Sequence, residues 1–377
     1  MRIMLTCLIM VSLLSTAHAQ RAGDDYNLVI GTYSNAEKTN GIHVYRFDLE
    51  NGDATPLNKY TDINNPSYLA ISDDRKHLYA VSEAGQGGKV FAFGFNAATG
   101  DLKLLNSVPS GGDHPCYVSV DKENKVVFVG NYSSGTLSAI PANSDGSLKS
   151  DVQTIKHEGS SVNASRQDKP HVHAVVLSPD GRFLFVPDLG TDKVNIYRIN
   201  TDASEPLTPS DPGFAKATDG SGPRHLVFHP NGKIAYLVQE LDATVTTFEY
   251  KKGVLIPVQT LSMRAPGFGG NVGAADIHVS PDGKFVYASN RGDANDIAMY
   301  SIAKNGWLAY IGSQSTLGRT PRNFVIDPTG NFLLAANQNT NDIIIFRRDK
   351  KTGLLTDTGK RIAVDKPVCL KFVKAQP

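Results

Sequence analysis

Ile277-His278-Val279-Ser280-Pro281-Asp282-Gly283 is a short β-branched run that ends in a tight-turn signal, and the chain repeats it. Val175-Val176-Leu177-Ser178-Pro179-Asp180-Gly181, Leu226-Val227-Phe228-His229-Pro230-Asn231-Gly232 and Phe324-Val325-Ile326-Asp327-Pro328-Thr329-Gly330 have the same form, with turn prolines at 179, 230, 281 and 328. Two more copies lack the proline: Leu69-Ala70-Ile71-Ser72-Asp73-Asp74-Arg75 and Val118-Ser119-Val120-Asp121-Lys122-Glu123-Asn124. Proline presets φ for the turn, and glycine accepts the positive φ that follows, so each copy predicts a hairpin. A second β-rich run comes after each turn, as in Lys233 to Val238 and Lys284 to Ser289. A third carries an aromatic at or near its end, as in Val245 to Tyr250 and Ile297 to Ile302.

Several short strands every fifty or so residues, without sustained helical periodicity, predict a four-stranded antiparallel sheet repeated around an axis. The fold class expected is all-β, a β-propeller, because one such sheet cannot cover both of its faces and must stack on neighbours. Inner strands start near Pro66, Pro115, His173, Arg224, Ala275 and Arg322, and a seventh begins at Pro367 with too little chain after it to complete a blade. The missing strands are at the other end, where Asn27 to Tyr33 and Gly41 to Phe47 read as second and third strands with no first. Pairing the N- and C-terminal strands completes seven blades and closes the ring.

Met1 to Ala19 reads as a secretory signal. Arg2 precedes an apolar run from Ile3 to Leu14, too short to span a bilayer, and Ala17-His18-Ala19 has the small-x-small form of a cleavage site. The expected layout is a signal peptide at 1–19 and a single propeller domain over 20–377, exported to the periplasm or the extracellular space, without membrane insertion. Lys+Arg number 38 and Asp+Glu 37. This balance gives no general pull toward nucleic acid or an acidic membrane. With Cys7 in the leader, two cysteines remain, Cys116 and Cys369; they fall on inner strands of blades separated by another blade, and two buried free thiols are expected.

Registering the repeats on their turns locates a candidate site. The start of the first strand and the end of the second share one end of the ring. Six positions before the turn residue the blades read Ser67, Cys116, His173, Arg224, Ala275 and Arg322. Nine after it they read Ser82, Asn131, Asp188, Gln239, Asn290 and Asn337; ten after, Glu83, Tyr132, Leu189, Glu240, Arg291 and Gln338. A structural repeat has no reason to vary polar side chains this much in one column, so a ligand is expected at this channel mouth. The asparagines also fit simple turn chemistry, and Glu240 with Arg291 also fits a structural ion pair between blades. Arg224 and Arg322 are harder to explain without an anionic partner. His171 and His173 share a strand face, but no third metal ligand accompanies them. His225, His229 and His278 are read as packing or solvent-facing. No P-loop, dinucleotide fingerprint or nucleophile elbow is present, and no cofactor or metal is expected.

Lys169-Pro-His-Val-His173, Gly222-Pro-Arg-His225, Tyr236-Leu-Val-Gln-Glu240, Ser289-Asn-Arg-Gly292 and Thr320-Pro-Arg-Asn-Phe324 resemble the seven-bladed propeller lactonases. That family includes propeller-type 6-phosphogluconolactonases and fungal carboxymuconate lactonising enzymes. Ile30-Gly-Thr-Tyr33 and Asn65-Pro-Ser-Tyr68 are similar to it as well. The resemblance implies a lactone hydrolase with His173, Arg224, Glu240 and Arg291 in the catalytic positions and His171 as a rival for the histidine. His171, Arg322, Asn290 and Asn337 are the expected substrate-binding residues, and the expected partner is a small anionic lactone or sugar acid. Lactonising cycloisomerisation and non-catalytic ligand binding are the alternatives, and the oligomeric state is open.

Overall fold

The computed structural model describes residues 26–34 and 40–375; the predicted signal and Cys7 lie outside the described residues. Twenty-eight strands make seven antiparallel sheets of four, with no helix among the described residues. Thus no described helix is long and apolar enough to cross a membrane. The predicted turns form as expected. Gly181, Gly232, Gly283 and Gly330 sit at φ of 66–72°, and their amides donate back to the carbonyls of Ser178, His229, Ser280 and Asp327. In the two copies without glycine, Arg75 and Asn124 take the same left-handed conformation at 60° and 58°.

Each of the second to seventh blades runs outward from its inner strand in chain order. The first is composite. Its inner strand is Pro367–Lys374, which pairs antiparallel with Tyr26–Thr32 in a register from Tyr26 opposite Lys374 to Gly31 opposite Cys369. This is the closure that the two half-blades predicted. Gly31 is required here, because a Cβ would run into the Pro66 carbonyl oxygen of the next blade. Separate apolar clusters fill the seams. Leu28, Phe47, Phe332, Ile343 and Leu370 join the first and seventh blades, and Phe185, Leu226, Leu237 and Phe248 join the fourth and fifth. Cys116 and Cys369 are buried and unbonded to each other.

The fourth blade departs from the pattern. Its inner strand was expected to start near His173, but regular pairing covers only Val176–Leu177, preceded by one isolated bridge between Val172 and Asp188. Pro187 on the adjacent strand accepts from the His173 amide but has no N–H to return, so the ladder lapses there. Leu370 is 1% exposed and packs on both sides of the closing seam. Leu370→Ala is expected to cost about 2–5 kcal/mol in urea unfolding, whereas Trp307→Ala, on the surface, should stay within about 0.5 kcal/mol.

Candidate active site

Five of the seven inner strands carry a β-bulge near their first residue. Pro115 pairs with Asn131 while Tyr117 pairs with Gly130, leaving Cys116 as the extra residue; Arg224 and Arg322 occupy the same place between Pro223 and His225 and between Pro321 and Asn323. On the closing strand the extra residue is Val368. A bulge bends the strand and re-aims the side chain, here into the channel. Ser67, Cys116, His173, Arg224, Arg322 and Val368 line one cavity, with Tyr68, His225 and Asn323 beneath them. The second column reaches the same mouth through one repeated bond. The amides of Tyr33, Glu83, Tyr132, Leu189, Glu240, Arg291 and Gln338 each donate to the residue that opens the adjacent inner strand, from Lys366 and Asn65 to Gly273 and Thr320.

Glu240 is the electrostatic centre. Its Oε2 accepts from Arg224 Nε at 2.9 Å and Arg291 Nη2 at 3.0 Å, and its Oε1 from Arg166 Nη2 at 2.7 Å. Burial alone would raise this carboxyl, but Arg291, Arg224 and the other cationic neighbours outweigh it and hold Glu240 well below the usual range. His173 Nε2 lies 3.9 Å from the same Oε2, and its Nδ1 is 3.9 Å from Cys116 Sγ. Burial, then the neighbouring Arg224, pushes the His173 imidazolium down, so the ring is neutral at pH 7. Burial pushes the Cys116 thiol up, which leaves it a poor nucleophile.

The guanidiniums differ in what they leave free. Arg291 Nε and Nη2 also donate to the carbonyls of Gly273 and Ala274. Arg224 uses Nε on Glu240 and Nη1 on the Ala275 carbonyl and His225, which leaves Nη2 without a protein acceptor among the described residues. Arg322 makes no protein hydrogen bond among the described residues; it lies over the Tyr33 ring, 5.4 Å from the centroid, while Tyr33 Oη and Ser67 Oγ both donate to Glu83 Oε2. Arg322 lines the cavity with its donors uncommitted to protein acceptors among the described residues. Neutral imidazole, unengaged guanidinium N–H groups and a shielded carboxylate can polarise a carbonyl and move a proton.

Residues 27–372 match the family model described as lactonase, seven-bladed β-propeller. The chain belongs to the seven-bladed β-propeller lactonase family. It is 38% identical over 345 residues to a 6-phosphogluconolactonase of Formosa agariphila, covering 90% of this chain and 97% of that protein. A 6-phosphogluconolactonase of Bacillus subtilis is 37% identical, with 91% and 97% covered. The periplasmic gluconolactonase structure of Pseudomonas aeruginosa superposes with a TM-score of 0.89 at 38% identity, covering 93% of this chain and all of that one.

Of the residues expected in this lactonase site, His173, Arg224, Glu240, Arg291 and Arg322 come together. His171 does not reach Glu240: its Nδ1 is bonded to the Tyr132 carbonyl at 3.0 Å, and its ring stacks on Tyr132. Asn290 and Asn337 are fully buried outside the cavity. Asn290 accepts from the Gly273 amide, and Asn337 donates to Thr316 and Asp342, as turn chemistry requires. Among the histidines read as packing or solvent-facing, His225 is instead part of the cavity wall, bonded to Asp276. Its signal was its place directly after Arg224, which the bulge turns toward the same channel. Arg166 was missed altogether. It rides on the segment between Lys156 and His171, in the longest interval between successive turns, and Gln167 anchors that segment by donating to the Leu189 carbonyl.

The buried histidines set the acid limb of stability. His225 is driven down to about 4, by burial first and then Arg224, against an unfolded value of about 6.5. Between those values the unfolded chain binds protons that the folded chain refuses, so stability falls as pH drops from 6.5 to 4. Glu240, also depressed, contributes stability above about pH 4.3 that is lost on further acidification. Glu240→Gln leaves buried guanidiniums without their anion and is expected to cost about 3–5 kcal/mol at pH 7, with a shallower decline below pH 4.3 in a series of urea titrations.

Proposed function

We propose that this protein hydrolyses a sugar-acid lactone. The observation that carries the reading is a neutral imidazole, His173, in one cavity with two arginines that keep donors free. In this mechanism Arg224 Nη2 and the Arg322 fork face the substrate's oxygens, one polarising the ring carbonyl and the other holding its anionic or hydroxyl-bearing end. His173 takes a proton from water as the water oxygen attacks the carbonyl carbon. Collapse of the tetrahedral intermediate breaks the ring C–O bond, and the imidazolium returns its proton to the leaving alkoxide. The product is the open hydroxy acid. The guanidiniums that hold Glu240 well below the usual range make it a poor proton acceptor; its role is to hold Arg224 and Arg291 and to stabilise the transient imidazolium. The relatives named 6-phosphogluconolactonase and gluconolactonase support a six-carbon aldonolactone as substrate.

The test is a panel of aldonolactones, with and without phosphate, followed by acid release above the spontaneous rate. His173→Ala and Arg224→Ala should each lower kcat roughly 10²–10⁴-fold. Arg322→Ala should raise KM roughly ten- to hundredfold. Variants that keep the full excess rate would overturn the site assignment, and stabilisation by the acids without any turnover would favour a binding protein. Export is part of the same reading, supported by the leader pattern of residues 1–19 and by the Pseudomonas relative described as periplasmic. Mass spectrometry of the secreted or periplasmic protein should find Gln20 as the first residue; a cytosolic chain retaining Met1 would count against it.

A further inference from the structure

Arg224 is among the largest fully buried side chains of the described residues, and burial, with Arg291 and Arg322 nearby, lowers its guanidinium to about 10. Such a group needs acceptors on several sides or it reorients. Glu240 supplies one and the Ala275 carbonyl another. The third is His225 Nε2, 3.3 Å from Arg224 Nη1. An imidazole nitrogen accepts only when its proton is on the other nitrogen, and His225 Nδ1 lies 2.8 Å from Asp276 Oδ1. A carboxylate facing Nδ1 and a guanidinium facing Nε2 admit one tautomer, Nδ1–H with a lone pair on Nε2.

Asp276 is itself fixed from several directions. Its Oδ1 also accepts from the Ile277 amide, and its Oδ2 from His278 Nε2 at 2.9 Å and from Asn323 Nδ2 on the next blade. Asn323 Oδ1 in turn accepts from the Leu370 amide of the closing strand at 2.7 Å. The stacked rings of Tyr68 and Tyr117 meet His225 edge-on, with centroids 5.9 and 5.2 Å away, and pack its faces while Asp276 and Arg224 hold its nitrogens.

We propose that Asp276 and His225 form a positioning relay, in which the carboxylate sets the imidazole tautomer and the imidazole holds Arg224 so that Nη2 faces the substrate. The proposal rests on Arg224 touching the substrate, as in the function proposed above. His225 is not a second base in this arrangement, because its one lone pair is already taken by Arg224. Both residues act through Arg224.

Asp276→Asn tests the relay with little change in volume. With its oxygen kept on the Asn323 and His278 donors, the carboxamide turns its N–H toward His225, which favours a proton on Nε2 and presents that N–H to Arg224 instead of a lone pair. With ¹⁵N-histidine-labelled protein, the wild type should show His225 protonated on Nδ1 and bare on Nε2, and Asp276→Asn should reverse the two. With whichever aldonolactone turns over, Asp276→Asn should lower kcat about ten- to hundredfold while KM changes less than threefold. A second pair guards against misfolding: His225→Gln, whose side-chain carbonyl can still face Arg224, should retain at least fivefold more kcat than His225→Leu. A proton on Nε2 in the wild type, wild-type kcat in Asp276→Asn, or equal rates for the Gln and Leu variants would each overturn the relay. Absence of lactone turnover in the wild type would instead remove the hydrolase reading, and with it the proposal that this relay serves catalysis, whatever the spectra show.

Discussion

The pairing of Pro367–Lys374 with Tyr26–Thr32 is the constraint on which the structure depends. A seven-sheet ring held only by chain connectivity would have two open faces, each with an apolar surface no neighbour covers. Sharing one blade between the two ends of the described chain removes both faces at once and ties both strands into a ladder, without a disulfide. The cost of opening the ring is therefore that of a seam as well as a strand.

That seam is also wired to the site. The Leu370 amide on the closing strand holds Asn323, Asn323 holds Asp276, Asp276 holds His225, His225 meets Arg224, and Arg224 meets Glu240. The chain of polar contacts crosses four blades in the low-dielectric centre of the ring, where unsatisfied groups are costly and satisfied ones are stiff. The first three links pass from blade to blade, and the last three members share the fifth blade, where Arg224 sits at a bulge. The geometry that would bind a substrate is in this way inherited from the geometry that closes the fold.

Much of this was legible in the sequence because the repeat sets the register. Once the turns at Asp180, Asn231 and Asp282 were aligned, Arg224 and Arg322 fell in one column and Glu240 and Arg291 in the other, and both columns do meet at one channel mouth. What the columns did not separate was aim from position. Asn290 and Asn337 are in register with the site yet turn into their own blades. His171 is two residues from His173, but Tyr132 holds it away from Glu240. Arg166 belongs to no column, since it lies in the connection from the third blade to the fourth, outside the hairpins that set the register, and a repeat-based reading is blind to what does not repeat.

The sequence by itself determined the blade count, the turns, the ring closure and the end of the channel where polar side chains collect. These follow from local rules: the φ that proline and glycine permit, the alternation of strand faces, and the period at which they recur. Only the tertiary structure decided which arginines are already engaged, which keep free donors, and which histidines face a carboxylate. Several of those partners are more than fifty positions away, as for His225 with Asp276 and Arg166 with Glu240. Hydrogen bonds form across the distance that folding closes, and the spacing of residues along the chain carries no record of it.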